Sequence, residues 1–467
     1  MDIIIDFSSL RDKGLEQYNL KAVNKICKKK EFIMKRKVLC LLMIIALIST
    51  SVFAQGAGEK DSSNKEITLT MLDFFVPGEG NTEAFEAVLQ DYQEANPNII
   101  IDEETISNSS VKTKVQTLAV ADELPDIFCL KGQMTKSFVE NGKVLDMSDY
   151  LNENPEWKDS FKEGVFSNFT IQDKIYGIPF QVTNTCIYYN DKIMKDAGID
   201  EFPTTWDGLI EACKILRAKG ITPIVLGNKG KWNAESVIMS TLGNRLTGDE
   251  WYESIKYNTG AKYTDPEFVA SLQALSDLAA VGAFNSDVNS IDNLQQLQVF
   301  MNGKAAMTID GTWAIPNLDA NTPEDVHENI KIAALPAVSG GKGNAQAITG
   351  GAGWALAINS NIDPEKKDAA LDFIKSIINE KFATLQAAAG ILPANYPGDF
   401  DIDSSQVVAL GFNEFQEGRP YIPVYDHQLD SGVMQVMQEG LQNLLIGEIS
   451  AQDLARDIQA EHERVNQ

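Results

Sequence analysis

Apolar residues along this chain follow two rhythms in turn. From Ile67 to Phe75 they alternate well enough to predict a strand. After a Gly-Glu-Gly loop, Phe85, Val88, Leu89 and Tyr92 recur at helical spacing. Ile99–Ile101 predicts a second strand, Val111–Ala121 a helix, Ile127–Leu130 a third strand, and Met134–Asn141 a short helix ended by Gly142. The order β-α-β-α-β-α implies a mostly parallel sheet covered by helices. A second unit follows, with an extended stretch over Tyr176–Asn190 and a helix over Lys192–Ala197 that Gly198 stops. Pro203-Thr204-Thr205 starts a helix whose Leu209, Cys213 and Leu216 share a face, and Ile221–Leu226 is a further strand. Asp265-Pro266, Asp363-Pro364 and Ser450 each open another helix.

An apolar run of a different kind lies upstream. Lys35, Arg36 and Lys37 precede Val38–Ile48, and Val52-Phe53-Ala54 then offers a small-residue exit. That order predicts a signal peptide over 34–54, cleaved before Gln55, with 1–33 an upstream extension not in the mature protein. The run is short for a membrane span. Cys40 lies at its start, the wrong place for a lipid anchor, so a soluble periplasmic protein is expected. Gln55–Lys65 is polar and reads as a flexible arm.

Charge narrows the classes. The chain carries −26, and the ten Lys/Arg and five Asp/Glu of residues 1–54 leave −31 on the remainder. Such a surface argues against nucleic acid and anionic membrane as partners. Cys129, Cys186 and Cys213 sit among apolar neighbours, which predicts buried thiols and no disulfide framework. The three histidines, His327, His427 and His462, are too dispersed for a zinc site and fall in polar stretches expected to be exposed. There is no G-x-S-x-G, and no metal, cofactor or catalytic residue is expected.

Four blocks then carry a resemblance: Pro125–Leu151 (PDIFCLKGQMTKSFVENGKVLDMSDYL), Tyr188–Leu226, Phe300–Ile315 (FMNGKAAMTIDGTWAI) and Gly350–Ile377. In this order the chain resembles the extracellular solute-binding proteins of ABC importers, in the large sugar-binding family that includes maltose-binding proteins. The resemblance implies an α/β, two-lobed periplasmic-binding-protein fold (type II-like), each lobe a mixed β-sheet flanked by helices, with ligand in the cleft between. It places 55–182 plus 339–390 in the N-terminal lobe and 183–338 plus 391–467 in the C-terminal lobe. Crossings are expected near Pro179–Asn184, Leu335–Val338 and Gly390–Asn395. The implied job is to capture a mono- or oligosaccharide as a monomer and deliver it to an ABC permease.

Sugar recognition needs a flat apolar face against the ring and fixed polar groups for the hydroxyls. Trp313, after Gly311-Thr312, occupies the family's stacking position, although alone it reads more readily as core. Asp310 serves equally as a hydroxyl acceptor or a helix-start carboxylate. Trp354, behind Gly350-Gly351-Ala352-Gly353, is either a cleft aromatic or part of a tight strand entry. Trp232 follows a strand at another expected cleft position. Trp206 reads as structural, and Trp157 and Trp251 carry no signal. Glu79, Lys131, Gln133, Gln181, Asn184 and Asp430 complete the ligand-binding set, with Thr183 beside them on the crossover. Leu130-Lys131-Gly132-Gln133 and neutral Thr183 depart from the maltose pattern, which argues against maltose itself. Two other classes stay open: a secreted glycoside hydrolase, needing paired carboxylates across a scissile bond, and a ligand-presenting partner of a chemosensory receptor.

Overall fold

The computed structural model describes residues 66–77, 80–396 and 402–467. The predicted leader and upstream extension lie outside those residues, as does Glu79. In chain order the strands are β1 Ile67–Asp73, β2 Ile99–Thr105, β3 Ile127–Lys131, β4 Thr170–Ile171, β5 Lys174–Ile175, β6 Ile178–Pro179 and β7 Gln181–Asn190. They continue as β8 Thr222–Val225, β9 Ala305–Gly311, β10 Ile330–Ala333, β11 Ile348–Gly351, β12 Trp354–Ile358, β13 Leu392–Pro393 and β14 Tyr421–Pro423.

Two mixed sheets result. The first runs β2-β1-β3-β12-β6, parallel across β2, β1 and β3 and antiparallel at β12 and β6. The second runs β14-β11-β7-β9-β8, with β10 and β13 also pairing the ten-residue β7. Each sheet has its own apolar core. Phe85, Phe128 and Phe373 anchor one; Tyr263, Phe268 and Phe300 anchor the other side. β3 (Ile-Phe-Cys-Leu-Lys) is apolar almost throughout because both its faces are buried.

Helix starts follow the residues that signalled them. Thr205 accepts from the Gly208 N–H at 3.2 Å, Asp363 from Glu365 at 2.9 Å and Ser450 from Asp453 at 3.1 Å. Pro266 sits in the first turn of helix Pro266–Ala280. These caps supply acceptors for N–H groups that the helix itself leaves unmet.

The lobe crossings position the site. β6 belongs to the first sheet and β7 to the second, so the chain crosses at Phe180. The second crossing differs from the expectation at 335–338. β11 pairs with β7 and β14 in the second sheet, and only β12 joins the first, so the chain returns at Ala352-Gly353. Gly350 to Ile358 reads as one small and apolar run in sequence. Gly351, at φ +134°, breaks it into two strands of different sheets, a conformation available to glycine. At the third crossing, Leu392-Pro393 pair with β7 while Ala394 and Asn395 still contact the first lobe.

Candidate functional site

The cleft between the sheets holds about 1280 Å³ of space, its open mouth included. Strand ends and helix starts of both lobes line it, the usual place for ligands in open α/β sheets. β1 runs into Phe74 and Phe75; the Phe74 ring lies 5.0 Å from that of Trp354. Trp354 pairs in register with Lys131 at the end of β3, and the Lys131 ammonium stands 5.2 Å from the indole centroid. This wall is apolar except for one cation.

Trp313 and Trp232 form the opposing aromatic wall. Their rings meet edge to face, centroids 5.6 Å apart at 68°. Gly311 makes the seat: a Cβ there would fall 2.1 Å from the Trp313 ring, so no side chain fits. Asp310, one residue earlier, is fully buried beneath this wall. Its carboxylate accepts from the Gly311 N–H at 2.9 Å, Asn293 at 3.0 Å and Gln296 at 3.1 Å. Burial pushes its pKa up to about 7 against those bonds.

A charged corner links the lobes. Lys131 Nζ of the first lobe lies 3.0 Å from Asp426 Oδ2 of the second. Burial opposes ionisation of Asp426, but Lys131 beside it wins and holds the carboxyl below its usual range. Behind Asp426, Glu235 is wholly buried and accepts from the Ser236 and Ser240 hydroxyls, from Gln438 and from the Asp426 N–H. Burial, then the Asp426 charge, push Glu235 up to about 8. The neutral form is thus favoured in the fold and not in the unfolded chain. Its contribution to stability is complete below about pH 4.5 and is lost as pH rises toward about 8. Glu235→Gln should therefore flatten that part of the Tm–pH curve; parallel slopes for variant and parent would refute the assignment.

Of the residues singled out in sequence, Trp313, Trp354, Trp232, Lys131, Gln181 and Thr183 line this cleft together. Four described candidates do not. Asp310 lies under the floor. Gln133 and Asn184 are buried outside the lining. Asp430 is exposed and caps helix Ser431–Leu445, accepting from Gly432 at 2.8 Å. Trp206 is buried in the second core; Trp157 donates to the Ile378 carbonyl and Trp251 to Asp265.

The histidines depart from expectation. His427 and His462 are buried, and His327 Nε2 sits 2.8 Å from Asp319. His427 lines the cleft, and burial, then Lys131, lower its pKa to about 3, so its ring is neutral. Cys129, Cys186 and Cys213 are free and buried as expected, and no cluster with metal-ligand character exists among the described residues. Sequence reasoning missed Phe74, Ser107, Lys112, Asn293, Asp426 and Gln438, all in the lining. Only Phe74, near the end of the predicted strand Ile67–Phe75, carried a readable signal.

Residues 78–384 match the family model described as bacterial extracellular solute-binding protein. A multiple sugar-binding protein of Streptococcus mutans is 23% identical over 81% of this chain and 84% of its own length. The diacetylchitobiose-binding protein DasA of Streptomyces coelicolor is 25% identical over 77% of this chain and 82% of its own. Among solved structures, a chitin oligosaccharide binding protein superposes with a TM-score of 0.77 at 26% identity, covering 86% of this chain and 99% of that one. A chain from a study of xylan utilization by Caldanaerobius polysaccharolyticus gives 0.76 at 28%, covering 85% and 100%.

Proposed function

Because this chain belongs to the bacterial extracellular solute-binding proteins, we propose that it captures an oligosaccharide in the interlobe cleft and hands it to an ABC permease. The observation that carries the reading is the pair of aromatic walls. Phe74 and Trp354 stand on one lobe and Trp232 and Trp313 on the other, with amides and hydroxyls between them. Aromatic faces take the C–H surfaces of sugar rings, while groups such as Gln181, Asn293 and Ser236 meet the hydroxyls. The sugar-binding relatives and the chitin-oligosaccharide neighbour support the same ligand class.

A ligand touching both walls binds the closed form better than the open one and shifts the lobes by that difference. The protein then works as a monomer in the periplasm, where the closed form docks on the permease. A binder is favoured over a hydrolase by the state of the acids. Asp426 is neutralised by Lys131, and Glu235 is sealed behind it, outside the lining. Asp292, the other carboxylate lining the cleft among the described residues, is engaged as a helix cap, so the described lining offers no acid and base pair placed across a bound sugar.

A thermal-shift screen of residues 55–467 against mono- and oligosaccharides tests this. At a ligand excess of about 100 times Kd, the matching sugar should stabilise by about 2.7 kcal/mol. Oligosaccharides incubated with the protein should be recovered intact. A panel that leaves the Tm unmoved would sink the carrier reading, and release of shorter sugars would replace it with the hydrolase.

A further inference from the structure

Of the lysines at the cleft, Lys131 and Lys231 are matched by carboxylates and Lys112 is not, among the described residues. Lys131 is met by Asp426 at 3.0 Å, and Lys231 near the mouth by Glu439 at 2.9 Å. Asp292 is engaged with its own helix, accepting from the Gln295 N–H in a capping box. Lys112 is half-buried in the cleft wall, and its ammonium reaches only the Gln438 amide oxygen, at 3.5 Å from the other lobe. No carboxylate stands within ion-pair distance of it among the described residues. In a chain with 66 acidic residues and 40 basic ones, a lysine finds a carboxylate easily. One left uncompensated in a closing cleft is costly unless the occupant brings the charge.

The surroundings of Lys112 fit an anion. Helix Asn108–Ala121 begins at the cleft with Ser107, Asn108 and Ser109 in the lining. Ser107 turns its hydroxyl to Ser109 and Ser110 and does not cap the helix, and the first turn carries no acid. Its positive end therefore adds to the ammonium. The His427 ring lines the same cleft, is only 4% exposed, and holds its Nε2 3.7 Å from Asp426 Oδ1. Burial lowers the proton affinity of Lys112, with Lys131 and Lys231 adding to the effect and Asp426 and Glu235 resisting it. An arriving anion would reverse that shift.

We infer that the sugar taken by this cleft bears a carboxylate, as a uronic acid does, and that this group seats on Lys112 at the start of helix Asn108–Ala121. The inference rests on the sugar-binding reading above. The −26 charge of the chain repels anions at long range, but that field is screened within about 8 Å at physiological salt, so recognition falls to the local cation.

Calorimetry with matched pairs tests it: digalacturonate against galactobiose, glucuronosyl-xylotriose against xylotriose, and glucose 6-phosphate against glucose. The carboxylate-bearing member of a pair should bind about tenfold or more tightly than its neutral partner, and the gap should narrow with added salt. Lys112→Met and Lys112→Gln should bring the ratio toward one, the acidic sugar losing more than the neutral one. Neutral sugars binding as well as acidic ones, or a preference that survives both variants, would overturn the inference while leaving the carrier reading intact. A preference for the phosphate alone would overturn the carboxylate. Binding of no sugar at all would instead fail the underlying reading.

Discussion

Lys131→Met should weaken ligand binding by about two to three and a half orders of magnitude while leaving the Tm of the ligand-free protein nearly unchanged. The Lys131–Asp426 pair joins the two lobes at 3.0 Å, with the side chains 11% and 2% exposed. Closure therefore carries a carboxylate out of water, and Lys131 is the group that compensates it. Removing one partner of a buried pair costs about 3–5 kcal/mol, because the other is left charged and unmatched. At about 1.4 kcal/mol per tenfold, that is the stated loss of affinity. Where opening separates the pair and returns Asp426 to water, the cost falls on the closed form alone. Glu235 sharpens it: already pushed up to about 8 beside Asp426, it leaves no nearby acid able to shed charge cheaply.

Adding Asp426→Asn removes the unmatched charge, so the double variant should bind better than Lys131→Met alone. Calorimetry on the parent, both singles and the double yields the coupling directly. A double variant no better than Lys131→Met would show that the pair does not bridge the lobes in solution.

This charged corner also marks where sequence reading stopped. Helices such as Trp206–Ala218 and Pro266–Ala280 were legible because caps and apolar periodicity are local properties. The Trp313 seat was legible because Gly311-Thr312-Trp313 are adjacent and a family pattern covers them. Val424-Tyr425-Asp426-His427-Gln428 reads as an exposed polar stretch, and the expectation for His427 failed there. Its burial is set by partners far away in sequence: Lys131 meets Asp426, Glu235 accepts the Asp426 N–H, and Gln428 donates to Asn168 at 2.6 Å. A short polar helix carries no periodicity that would announce such partners. The second crossing was misplaced for a related reason. Which sheet a strand joins depends on its neighbours, and composition alone does not separate β11 from β12.

Trp313→Ala should weaken binding by about 2–4 kcal/mol, roughly thirtyfold to a thousandfold, the scale of a hot-spot aromatic. The ring is half-buried: one side is held against Trp232 and over Gly311, and the remainder faces the cleft. Its orientation is set before ligand arrives, so little rotamer freedom is lost on binding. Truncation removes the flat surface and leaves the Gly311 seat empty, which a smaller side chain cannot refill. Trp313→Phe keeps a flat face in that seat and should lose less than Trp313→Ala. Trp157→Ala provides the contrast: Trp157 is buried in the first core and donates to the Ile378 carbonyl at 2.8 Å, so its loss should lower the Tm without changing the affinity of the folded protein. If Trp313→Ala instead lowers only the Tm, as Trp157→Ala does, then Trp313 is core and the aromatic wall of the second lobe is Trp232 alone.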